Sequence, residues 1–107
     1  MTSSQHGVAM SRWYVYLIRT RSGTLYTGTT TDVERRLAEH GQGGPRGSKY
    51  LRSRGPLELV YQVKIGDRAL AARVEWRIKR LTRQKKEEIV SAGLRRRALL
   101  TFLDLAG

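Results

Sequence analysis

The chain has 107 residues, enough for one domain and too few for two. Hydrophobic residues make up 39% of it, which supports a packed core and excludes wholesale disorder. It has no cysteine, which excludes disulfides, thiolate-held zinc, iron–sulfur clusters and a thiol nucleophile, and its net charge of +12 draws it towards polyanions.

Most of the positive residues are arginine, the side chain that grips phosphate through two oxygens. Nucleic acid, DNA first, is therefore the expected partner. The plainer alternatives are a merely soluble basic protein or one that touches acidic lipid. His6 and His40 are too few to build a histidine-rich metal site. No apolar run approaches the roughly 18 residues that span a bilayer. The polar stretch Met1–Ser11 reads as a disordered leader on a cytoplasmic protein, a monomer or weak dimer.

Trp13–Ile18 is a short aromatic and β-branched run, and Thr24–Thr29 resumes the same chemistry after Arg21-Ser22-Gly23. Together they predict a β-hairpin. A two-residue turn would put Tyr16 and Tyr26 on opposite faces. A three-residue loop with Gly23 in a left-handed position pairs Thr20 with Thr24, sets Tyr16 across from Gly28 and Tyr26 across from Ile18, and places both phenols on one face. A glycine at the last loop position favours the second.

Thr31-Asp32-Val33-Glu34 matches a capping box opening a helix to about His40. Gly41–Gly55, rich in glycine, predicts a mobile loop carrying Lys49, Arg52 and Arg54. Leu57–Val63 predicts a third strand, ended by Gly66-Asp67, with Asp67 capping a helix over about Arg68–Leu81 whose apolar stripe is Leu70, Val74, Ile78 and Leu81. Thr82 and Gly93 bracket a further helix. Leu94–Leu105 predicts a last one, with Leu99, Phe102, Leu103 and Leu105 available to pack. The expected fold is α+β: a three-stranded, mainly antiparallel sheet flanked by three or four helices. One domain over 12–93 carries a helical extension at 94–107.

Several residues invite a chemical and a plainer reading. Gly28 either leaves room for a phosphate or the Tyr16 ring, or merely ends a strand, and alone the latter is preferred. Arg36 and His40 lie one helical turn apart. They could clamp a phosphate and activate water, although a helix-surface pair is the commoner explanation. Glu75 could hold one divalent ion with water and phosphate completing the shell, while its spacing alone favours an ion pair with Lys79. Arg73, Arg77, Lys79 and Arg80 on the same helix, with the loop cations, are the expected nucleic-acid contacts. Trp76 is expected to pack against the leucine-rich C-terminal segment rather than stack on a base. Lys85-Lys86 and Arg95-Arg96-Arg97 are generic positive charge.

The order along the chain is more specific than any member. Tyr14-Val15-Tyr16, Tyr26-Thr27-Gly28, Arg36 eight residues later, His40 and Glu75 resemble the GIY-YIG nuclease family, over roughly 12–93. The likeness is strongest to its small stand-alone bacterial members of the YhbQ type. The resemblance implies hydrolysis of a DNA strand at one Mg²⁺ or Mn²⁺ ion, with Glu75 as metal ligand and Arg36 as phosphate clamp. Tyr16 or Tyr26 would be base or water-positioning group, assisted by His40. A tyrosine base needs its pKa lowered from about 10, for which Arg36 and the metal are the expected agents. The structure-specific relatives extend the expected substrates to branched or distorted DNA, and the alternative is a binding module with little or no turnover. Two departures stand out: Tyr14 replaces the first glycine of the motif, and the chain has no asparagine to match the one larger relatives place after the metal glutamate. Those relatives also attach a recognition domain, so sequence preference here would come from the loop and basic helices or from a partner protein.

Overall fold

The computed structural model describes residues 12–42 and 56–105, so the leader and the loop cations Lys49, Arg52 and Arg54 lie outside the described residues. Strands β1 (Trp13–Arg19) and β2 (Leu25–Thr30) are joined by the three-residue loop. Thr20 N–H donates to the Thr24 carbonyl at 2.9 Å, and Gly23 N–H to the Thr20 carbonyl at 2.9 Å. Gly23 has φ of +92°, which a side chain would strain. The loop fixes the pairing Tyr16 with Gly28 and Ile18 with Tyr26. Both tyrosines therefore face one side of the sheet, as the glycine position predicts.

The chain continues through α1 (Val33–Gln42), β3 (Glu58–Gly66), α2 (Arg68–Lys79), α3 (Arg83–Ala92) and α4 (Arg96–Phe102). β1 lies between β2 and β3, antiparallel to both. Covered on both faces, β1 is buried from Val15 to Ile18 without alternation. Val15 and Leu17 join the main core with Ala71, Val74, Ile78, Ile89, Leu99 and Leu103 from α2, α3 and the α4 segment. Tyr16 and Ile18 enter a smaller core on the other face with Val33, Leu37, Tyr26 and Leu59. The sheet thus separates α1 from the other three helices.

The helix ends explain the boundaries. α1 is capped by Asp32, whose Oδ1 accepts from Arg35 N–H at 3.1 Å, and not by the Thr31–Glu34 box. With Val33 as the first helical residue, Thr31 lies one position too early, and an ionised carboxylate is the stronger acceptor for the helix dipole. Asp67 Oδ2 accepts from Leu70 N–H at 2.9 Å, and Thr82 Oγ1 from Lys85 N–H at 3.2 Å. Gly93 (φ +57°) closes α3. α4 is shorter than the predicted Leu94–Leu105 because Asp104 turns left-handed, at φ +62°, and Leu105 N–H donates back to the Leu100 carbonyl at 2.7 Å. Three side chains tie this end to the rest: Tyr61 Oη donates to the Leu94 carbonyl, Arg96 Nε to the Ile65 carbonyl and Arg77 Nη1 to the Leu103 carbonyl. No helix among the described residues is long and apolar enough to cross a membrane.

Asp67→Ala removes an exposed cap without touching the core. It should lower unfolding free energy by about 1 kcal/mol, with Asp67→Asn close to wild type; urea melts followed by circular dichroism check this.

Candidate active site

Tyr16 rises from the buried centre of β1, and its ring lies across Gly28 on the neighbouring strand. A Cβ at Gly28 would overlap Tyr16 Oη and Cζ. The glycine therefore makes room for the phenol, the more specific of its two readings. Tyr26 stands on the same face, over Ile18.

α1 covers this face and delivers Arg36 and His40. His40 is fully buried, with Nε2 3.1 Å from Tyr16 Oη. Its ring meets Tyr26 edge to face at 5.7 Å between centroids, with Tyr16 at 6.4 Å. The imidazole therefore lies between the two phenols and is no helix-surface group. Arg36 donates from Nη1 to Glu39 Oε1 at 3.1 Å, and its charge favours the ionised form of the Tyr16 phenol. Glu39 is a member of the cluster that the sequence reading misses. Its spacing three residues after an arginine on one helix is the signal that could have found it.

Burial, and then the Arg36 cation, lower the His40 pKa below its ordinary value, while Glu39 acts against them. The imidazole is thus neutral at pH 7. Tyr16 is pushed up to about 12, first by burial, then by Tyr26. Of the two agents expected to depress this phenol, Arg36 acts in the expected direction, and loss of water around the phenolate outweighs it. With His40 in its Nδ1–H tautomer, the Oη hydrogen is donated to Nε2.

Glu75 comes from α2, across the sheet. Its side chain is 25% exposed and pairs with Lys79 at 3.2 Å, the plainer of its two readings and a weak exposed contact. Its charge nonetheless reaches Tyr16 and raises that phenol's pKa. Among the described residues no three histidines, aspartates or glutamates gather into a metal cage. A lone carboxylate fits a Mg²⁺-type ion that keeps water and phosphate ligands, and does not fit structural zinc.

Of the expected phosphate contacts on α2, Arg73, Lys79 and Arg80 are exposed, whereas Arg77 is half-buried against the Leu103 carbonyl. Trp76 does not pack against the C-terminal leucines: it is 56% exposed. The buried residues of α2 are Ala71, Val74 and Ile78, and Trp76 lies about 200° around the helix from the last two, on the solvent side.

Residues 12–88 match the family described as the GIY-YIG catalytic domain. A UPF0213 protein of Citrobacter koseri is 50% identical over 95 residues, spanning 89% of this chain and 93% of that protein. The UPF0213 protein YhbQ of Escherichia coli is 49% identical with the same coverage. Among solved structures, the solution NMR structure of the UPF0213 protein BH0048 from Bacillus halodurans has 44% identity and a TM-score of 0.49, covering 75% of this chain and 83% of that one.

The electrostatics can be checked by NMR titration of the His40 imidazole. Its pKa should lie below 6.5, rise in Arg36→Gln as the cation is lost, and fall further in Glu39→Gln. Because the folded value is depressed, His40's contribution to stability is complete above the unfolded value of 6.5 and is lost as pH falls from there through the folded one. An Arg36→Gln protein with an unmoved His40 titration would separate the two groups.

Proposed function

Because this chain belongs to the GIY-YIG family, we propose that it is a divalent-metal-dependent endonuclease that hydrolyses DNA phosphodiester bonds. The observation that carries this reading is the buried Tyr16–His40 hydrogen bond, with the Arg36 cation on the same helix face as His40 and acting on the same phenol. A neutral acid–base pair beside a fixed cation suits hydrolysis of an anionic ester.

Arg36 would bind the scissile phosphate and stabilise the extra negative charge that develops on its oxygens as water attacks. A phenol with a pKa of about 12 is not a free phenolate at neutral pH. Tyr16 therefore acts as a relay. Oη takes the proton of the attacking water while passing its own to His40 Nε2, so the imidazole ends as the imidazolium and the tyrosine stays neutral. The lowered His40 pKa keeps that acceptor unprotonated at neutral pH. Glu75 would hold the metal, which when bound neutralises charge on the phosphate and leaving oxygen. Tyr26 packs its ring against His40 and holds it beside Tyr16. A binding module without turnover is the second reading, favoured by the pairing of Glu75 with Lys79, which occupies the proposed ion ligand.

Single-stranded, duplex, flap and branched DNA, incubated with Mg²⁺ or Mn²⁺, provide the test. Glu75→Ala should abolish metal-dependent cleavage while leaving DNA affinity intact or slightly higher, since a negative charge leaves a basic surface. Equal cutting by this variant, or by wild type in excess chelator, refutes the assignment. A wild type that binds every substrate and cuts none leaves the second reading standing.

Arg36→Ala should reduce turnover more than binding, by about 2.7–4 kcal/mol if it resembles loss of an oxyanion-stabilising donor. Single-turnover rates set beside affinities measure that split, and weaker affinity with unchanged turnover would make Arg36 a docking residue.

A further inference from the structure

One side of α2 is turned away from the sheet. Ala72, Arg73, Trp76, Lys79 and Arg80 are all exposed on it, and helical spacing places the other four within a turn of the indole. Trp76 is the large hydrophobic residue left exposed among the described residues. The Arg80 guanidinium lies over its ring, Cζ 4.6 Å from the centroid. More than half of the residue's surface is still open to solvent.

We infer that Trp76, with Arg80 stacked on it and Arg73 and Lys79 beside it, is a platform for an unpaired base of a single-stranded nucleic acid. An indole accepts any base face to face, and arginine adds a cation–π contribution to such a stack. The flanking cations take the phosphates on either side. Bases inside a duplex already have both faces covered, so this surface distinguishes strands by pairing and not by sequence. Charge complementarity fixes the occupant: a single ring bordered by three cations, on a chain of net charge +12, matches alternating bases and phosphates. It lacks the contiguous apolar area that a protein partner would cover.

Trp76 is the residue after Glu75. A base held there puts its own backbone beside the carboxylate proposed to hold the ion, so the platform would favour substrates with an unpaired nucleotide next to the cut. This inference rests on the proposed nucleic-acid partner and not on hydrolysis.

The test is equilibrium binding of the full chain, without metal, to oligothymidylate, to oligouridylate and to a blunt DNA duplex. Trp76→Ala should bind single strands roughly 5- to 150-fold more weakly, the range one base–aromatic stack commands, and duplex within about twofold of wild type. The DNA and RNA arms show whether the sugar matters. Trp76→Phe keeps a π-face and should recover most of the loss. Trp13, the other tryptophan, is half-buried, so in a Trp13→Phe background single strands should quench the remaining indole. Unchanged single-strand affinity in Trp76→Ala, equal loss on single and double strands, or no quenching overturns the platform while leaving nucleic-acid binding in place. Wild type that binds none of the three probes, or that prefers an acidic polypeptide such as polyglutamate, overturns the nucleic-acid partner as well.

Discussion

The register between β1 and β2 is the constraint on which the candidate site depends. Side chains alternate across a strand, so a slip of one residue would send Tyr26 to the opposite face from Tyr16 and leave a side chain where Gly28 now lies. Gly23 prevents that slip by taking a backbone conformation the three-residue loop requires. The shared face of both phenols, the space at Gly28 and the position over which α1 settles follow from a turn that lies outside the candidate site.

The same register accounts for a polar cluster inside a small core. Burying a phenol and an imidazole costs free energy unless each finds a partner, and here each is the other's. Burial reinforces the neutrality that both groups already favour at pH 7. Desolvation moves the phenol up and the imidazole down, so both discharged forms dominate at neutral pH. The Arg36 guanidinium stays charged beside them, and Glu39 pairs with it at the edge of the cluster. The hydrogen bond therefore has two effects at once: it fastens α1 to the sheet beside Val33 and Leu37, and it leaves a proton acceptor ready next to a cation. Any change to Tyr16 or His40 acts on packing and chemistry together.

How much of this was legible in the sequence depends on how local the cause was. Asp67, Thr82 and Gly93 act within a turn of themselves, and their capping roles were readable. The hairpin register was readable because Gly23 occupies the position the loop type demands. Thr31–Glu34 misled because two acceptors competed for one helix start, and a pattern does not say which wins. The end of α4 is not legible because a left-handed aspartate is an uncommon substitute for glycine. The direction of the Tyr16 shift depends on burial between β1 and α1, a tertiary quantity that spacing cannot supply, whereas the charge of Arg36 is visible from its letter. The expectation that a large apolar ring seeks a core misplaces Trp76. Its angle around α2, opposite Val74 and Ile78, is the better guide.

That angle also relates the two layers of the molecule. The tyrosines, Arg36 and His40 belong to the α1 side of the sheet, whereas Glu75 belongs to a helix on the other side, so the fold must bring an acid past the sheet to act on Tyr16. α2 reaches β2 as well as β1 and β3, and its buried residues hold it there while Glu75 and Trp76 follow one another out of the core. The inner face of the helix fixes its position, and the two successive residues at its edge inherit that precision. The proposed ion ligand and the proposed base platform, on adjacent residues, are therefore fixed to the main core by one helix. Arg36, the proposed phosphate clamp, is held by the smaller core, and β1 is the element both cores share. A strand buried on both faces is accordingly the part of this chain least able to shift, and the chemistry proposed here requires its two sides to keep a fixed separation.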